Sequence, residues 1–75
     1  MEIVPLDLLK SGEEGRICDF SGAQDVVKHL CEMGLRHGAR VRMVQPGSPC
    51  IVSIDDHRRY NFRSEAEVLV EIQRN

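Results

Sequence analysis

Residues 21–43 read SGAQDVVKHLCEMGLRHGARVRM, and two periodicities meet in this stretch. Ser21 and Gln24 have the Ser-x-x-Gln spacing of a capping box, in which each side chain satisfies a backbone amide at a helix start. Ala23, Val26, Val27, Leu30 and Cys31 then fall at i, i+3, i+4, i+7 and i+8, one apolar stripe, with Asp25, Lys28, His29 and Glu32 on the opposite side. Gly34 stops the helix, because glycine enters the left-handed conformation of a helix C-terminus without a Cβ clash, and Leu35 can pack back onto the last turn. The spacing predicts an amphipathic helix from Ser21 to Met33 that lies on a sheet. After Arg36-His37-Gly38 the period becomes two: Ala39, Val41 and Met43 alternate with Arg40 and Arg42, as in a half-buried strand.

Working outward, Pro46-Gly47-Ser48-Pro49 gives a tight hairpin into a strand from Cys50 to Asp55, with Val52 and Ile54 on one face. Asp55-Asp56-His57-Arg58 reads as a second turn and Arg59 to Arg63 as a short strand. Ser64 to Glu67 reads as a capped turn, and Val68, Val70 and Ile72 alternate in a last strand, Val68 to Ile72. Upstream of the helix, Glu14 to Phe20 is a strand despite Gly15 and Asp19. At the opening, Leu6 and Leu9, three apart after Pro5, predict one short helical turn that Ser11-Gly12 stops. The result is mainly β with one helix: about five short strands, the helix between the first two, in a single domain over residues 1–75. Strands this short close most economically into a small barrel, which removes exposed edges.

A chain of 75 residues must place nearly all its apolar side chains in one core, leaving little room for a deep catalytic cleft. No glycine-rich elbow presents a serine nucleophile and no phosphate-cradling Gly-x-x-x-x-Gly-Lys loop is present. Together these features point away from an enzyme. No apolar run approaches the length of about 20 residues that a spanning helix needs, and Met1-Glu2 opens without a signal-peptide pattern, so a cytoplasmic protein without direct membrane insertion is expected. Cys18, Cys31 and Cys50 are odd in number and widely spaced, which predicts free thiols.

The metal reading is weak at the level of spacing. The nearest Cys/His pair, His29 and Cys31, stands at i, i+2 on different sides of a helix, whereas a zinc site repeats ligands two to four residues apart. The three cysteines read as small core residues and His29, His37 and His57 as solvated. No metal site and no cofactor are assigned. A metal-binding sensor that uses Cys or His ligands such as Cys50 or His57 is the alternative function class.

Charge is distributed unevenly behind a total of -2. Residues 1–35 carry net -4, residues 36–63 net +4 and residues 64–75 net -2. Arg36, Arg40, Arg42, Arg58, Arg59 and Arg63 supply all the positive charge of the middle segment, and arginine in place of lysine suits planar contacts with carboxylates or phosphates. Nucleic acid is disfavoured by the pI near 5.9 and by the scarcity of stacking residues, only Phe20, Tyr60 and Phe62. A protein-binding face is the better functional reading of the cluster.

From Leu30 to Val41 the sequence resembles the FeoA family, small cytoplasmic proteins of bacterial ferrous iron transport in which a helix ends in a Leu-Gly-Leu/Met-x-Pro-Gly pattern and a strand follows at once. Pro5-Leu6 with Leu9 and Gly12, the Pro46-Gly47-Ser48-Pro49 hairpin, and Phe62-Arg63 with Glu65-Ala66 before the last strand occur in the family order. His37 stands where the family usually has proline, and Asp56-His57 where glycine often turns the chain. The resemblance implies an SH3-like barrel acting as a non-enzymatic accessory protein that docks on the cytosolic, GTP-binding part of the membrane transporter FeoB and modulates iron uptake. The contact expected on this basis combines the helix end and the hairpin region: Met33, Leu35, Arg36, Arg40, Arg42 and Arg58, with Met33 and Leu35 partly exposed and Leu30 in the core.

Overall fold

The computed structural model describes residues 2–63 and 68–74. Six strands, β1 (Glu2–Pro5), β2 (Glu14–Gly22), β3 (Arg40–Gln45), β4 (Cys50–Ile54), β5 (Arg58–Phe62) and β6 (Val68–Arg74), form one antiparallel sheet in the order β1-β6-β2-β3-β4-β5. Helix α1 (Gln24–Glu32) follows β2, and a 3-10 turn at Leu6–Leu8 follows β1. The expected capped turn at Ser64–Glu67 lies outside the described residues.

The sheet curls. In a flat sheet β5 and β6 would be four strand spacings, about 19 Å, apart, yet Phe62 and Val68 line one small cavity. Alternate residues of β2 to β6 therefore point into a single core that includes Ile17, Val41, Met43, Val52, Ile54, Phe62, Val70 and Ile72. The closed barrel expected from strand economy is nonetheless not completed by hydrogen bonds: β1 and β5 stand at the two ends of the strand order.

Two local expectations are corrected. An additional strand, β1, precedes the predicted set, so the helix lies between β2 and β3 of six strands. Its register, Glu2↔Arg74 to Pro5↔Glu71, is set entirely by a partner at the other end of the chain. The helical turn expected at the opening does form, directly after this strand, and Leu6 and Leu9 anchor it in the core. The capping box is absent: Ser21 and Gly22 end β2, paired with Leu69 and Val68, and Ala23 caps α1 without a side-chain hydrogen bond. Backbone pairing along β6 satisfies more groups than one serine cap would, and it sets the helix start three residues later than predicted.

The C-terminus of α1 forms as expected. The Gly34 amide donates to the Cys31 carbonyl (3.1 Å) and the Leu35 amide to the Leu30 carbonyl (2.9 Å), with Gly34 at φ 104°, the bond pattern of a Schellman motif.

The chain ends are clamped by Arg74, whose guanidinium donates to the carboxylates of Glu2 and of Glu13 (2.9 Å to the latter). Glu13 also accepts the Lys10 backbone amide at 2.7 Å. That amide, followed by the charge of Arg74, holds the Glu13 carboxyl below the ordinary carboxylate range, while partial burial opposes the shift. A lowered folded-state pKa contributes stability that is present above the ordinary carboxylate range and lost as pH falls through the folded value. Urea unfolding midpoints should therefore drop between pH 7 and pH 3, and Glu13→Gln should lower the midpoint at pH 7 and shrink that drop. A Glu13→Gln protein with the parental pH profile would refute the clamp.

Candidate functional site

Where α1 ends, the chain leaves a groove of about 520 Å³ between the last helical turn and the β4–β5 turn. Lys28, Cys31 and Glu32 form the helix wall, Gly34 and Arg36 the end, and Ile54, Asp55, His57 and Arg58 the hairpin wall. The space lies beside the core and hollows nothing out of it. The Schellman turn makes the groove because Gly34 bends the chain away, and Arg58 Nη1 and the Ile54 side chain face the bare glycine within 4 Å of where a Cβ would stand.

The hairpin wall is held by its own turn chemistry. Asp55 and Asp56 both adopt left-handed backbone conformations, φ 50° and 63°, which aspartate tolerates better than most residues. The Arg40 amide donates to Asp55 Oδ1 (3.0 Å), the Asp55 amide to the Arg40 carbonyl (2.8 Å), and the Arg40 guanidinium pairs with Asp56 at 2.6 Å. That pair is exposed on both sides and contributes about 0–1 kcal/mol; its effect is to fix where the turn sits.

Of the six residues expected to form one contact, two come together: Arg36 and Arg58 line the groove. Met33, 42% exposed, caps the end of α1 and is not part of the groove's lining. Leu35 does not join them: it is fully buried, contrary to the expectation of partial exposure, because the Schellman motif turns it back onto Leu30. Strand parity separates the remaining two. Val41 and Met43 face the core, so Arg40 and Arg42 project from the outer face of the sheet, where Glu14 and Ser53 flank Arg42 in register. The charge cluster of the sequence is thus divided between two faces. Lys28, Glu32, Asp55 and His57 were not singled out as contact residues, because a solvated helix face and a turn carry no signature of which groove they will border.

Among the described residues no three His, Cys, Asp or Glu side chains are grouped to hold a metal ion. Cys50 and His57 lie at opposite ends of the β4–β5 hairpin, Cys50 opposite Phe62 and His57 beyond Ile54, on the order of 13 Å apart at strand spacing. Ligands of one ion sit within a few ångströms of each other. Burial also pushes the Cys50 thiol up, away from the thiolate that binds metals. Cys18, at the β2 bulge, donates weakly to the Glu71 carbonyl at 3.4 Å, and the three histidines are exposed. Among the described residues no helix is long and apolar enough to cross a membrane.

Comparison with known proteins agrees with this architecture. The family model of the FeoA domain matches residues 4–72. A crystal structure described as that of an iron uptake regulatory protein, FeoA, superposes with a TM-score of 0.79 at 25% identity, over 92% of this chain and 96% of that one. A search of curated proteins finds no match. With the family match running from β1 to β6 and a solved FeoA sharing the fold, the chain belongs to the FeoA family of small accessory domains in ferrous iron transport.

Proposed function

We propose that this protein docks, through the helix-end groove, on the cytosolic part of a FeoB-type ferrous iron transporter and modulates iron uptake without catalysing a reaction. The observation that carries this reading is the open groove bordered by Lys28, Arg36 and Arg58, at the end of the helix that the exposed residue Met33 caps. Among the described residues Arg36 and Arg58 make no ion pair, and arginines available for planar contacts, with an exposed methionine three residues before the first of them, are typical of a recognition site. Family membership supplies the process, ferrous iron transport, and the groove supplies a surface for a partner in it.

Binding of the purified protein to the transporter's cytosolic domain from its own organism tests the proposal, with and without guanine nucleotide. Arg36→Glu and Arg58→Glu should each weaken the complex at least tenfold while changing stability by less than about 0.5 kcal/mol, the usual range for surface substitutions. Arg42→Glu, on the outer sheet face, should leave binding intact. No complex at tens of micromolar, or equal loss from Arg42→Glu and Arg58→Glu, would reject the groove as the docking site.

A further inference from the structure

The outward side of the sheet carries an assembly of arginines that the helix-end groove does not use. Val52 and Ile54 of β4 face the core, so Ser53 between them points outward, in register with Arg42 of β3 on one side and Arg59 of β5 on the other. Side chains opposite one another on paired strands are neighbours, so an arginine stands directly on each flank of this serine. Arg42 and Arg59 are two strand spacings apart, about 9.6 Å, and their long side chains can meet over the residue between them.

Ser53 is the one buried polar residue among those described, with 8% of its surface exposed. The outward side of a curled sheet is convex, so its side chains splay and a small residue there is ordinarily left open. The burial of Ser53 therefore requires its neighbours to lean over it, Arg42 and Arg59 across the ladders and Ile51 along the strand. Its hydroxyl has no hydrogen-bond partner among the described residues. No sealed side-chain oxygen or nitrogen there lacks a partner, so Ser53 Oγ opens to the surface between the two arginines.

Buried hydroxyls are ordinarily hydrogen-bonded, and the groups beside this one are donors only. Neither Arg42 nor Arg59 makes an ion pair among the described residues. Glu14, opposite Arg42 on the β2 side, does not pair with it, and Asp55 and Asp56 of the adjoining turn engage Arg40 instead. On the same face Arg16 stands directly opposite Arg40, a like-charge placement that adds positive potential without stabilising the ladder. The donors around Ser53 converge from three directions, the hydroxyl from below and a guanidinium from each side. A phosphoryl group presents three acceptor oxygens and a charge of about -1.5 to -2 to such a tripod. A carboxylate offers two coplanar oxygens and half the charge.

We propose that Arg42, Ser53 and Arg59 form a binding site for a phosphoryl group on the outer face of the sheet, with a guanidinium donating from each flank and Ser53 Oγ–H from the floor. A soluble phosphate and a phospholipid headgroup share this chemistry, and the experiment separates them.

The nitrogen-15-labelled protein is titrated with inorganic phosphate at fixed ionic strength and followed through its backbone amide and arginine Nε resonances. The expected result is a saturable shift centred on 42, 53 and 59, about tenfold weaker binding to Ser53→Ala and to Arg59→Gln, and parental binding by Lys10→Gln, which removes the same charge elsewhere. Acetate at the same ionic strength should give no saturable shift. That comparison uses the parental protein, so a folding defect cannot mimic it. Flotation with phosphatidylcholine vesicles containing phosphatidate identifies the source. Flotation that Arg59→Gln loses assigns the phosphoryl group to a lipid headgroup, phosphate binding without flotation assigns it to a soluble phosphate, and both uphold the site. Shifts that stay linear to tens of millimolar phosphate, an equal response to acetate, parental affinity in Ser53→Ala, or equal loss in Lys10→Gln would each overturn the proposal.

Discussion

Gly15→Ala is expected to destabilise the native state by about 3 kcal/mol or more, the upper range for single substitutions, placing the urea midpoint about 3 M lower or abolishing the cooperative transition. Gly15 sits in β2 between β6 and β3, in register with Arg74 and Val41. A Cβ built there would lie 2.4 Å from the Gln73 carbonyl oxygen and 2.6 Å from Ile72 Cγ2. Ile72 is fully buried in the core, and Gln73 belongs to the backbone of β6, which is paired on both sides, so neither can retreat without opening the ladder. Gly12→Ala provides the contrast. Gly12 has φ 87° but nothing within 4 Å of its Cβ position, so only left-handed strain applies, about 1 kcal/mol. Equilibrium unfolding of the two variants side by side separates steric clash from backbone strain; a Gly15→Ala midpoint within 0.5 M of the parent would show that β6 can move aside.

Leu35→Ala should cost about 3 kcal/mol, within the 2–5 kcal/mol range for truncating a buried leucine. Leu35 is fully buried, its amide closes the Schellman motif on Leu30, and Leu30 itself is 4% exposed. The loss therefore combines a cavity with the uncoupling of the helix end from the core. Met33→Ala, two residues earlier and 42% exposed, should change stability by less than about 0.5 kcal/mol and instead weaken the docking proposed above. The pair gives a clean division: one side chain stabilises the helix end, and its neighbour is available to a partner. Chemical unfolding together with binding of the transporter's cytosolic domain reads both quantities, and a Leu35→Ala protein of parental stability but impaired binding would return Leu35 to the interface.

Much of the fold was legible because its signals are local. Gly34 and Leu35 announced the helix end through bonds that reach only to Cys31 and Leu30. The alternation of Val41 with Met43, Val52 with Ile54, and Val70 with Ile72 identified core-facing positions that are all buried. Ser21 shows the opposite case: its capping pattern was a valid local preference, and the ladder to Leu69, 48 residues away, overrode it. For the candidate site, Met33, Arg36 and Arg58 could be nominated from residue type, whereas their separation from Arg42 depends on which face of the sheet each strand presents.

By itself the sequence determined a mainly β domain with one helix, its capped C-terminus, most of its core and its place in the FeoA family, because turn chemistry and hydrophobic period act over a few residues. Tertiary structure alone decided the rest. It recruited Glu2–Pro5 as a strand by pairing it with β6, made Gly15 the point where two strands approach too closely for any side chain, and placed β5 at the end of the strand order. It also divided one arginine cluster between a groove and an outer face. Each of these follows from register between segments far apart in the chain, and the period of any one segment does not encode which distant partner it will meet.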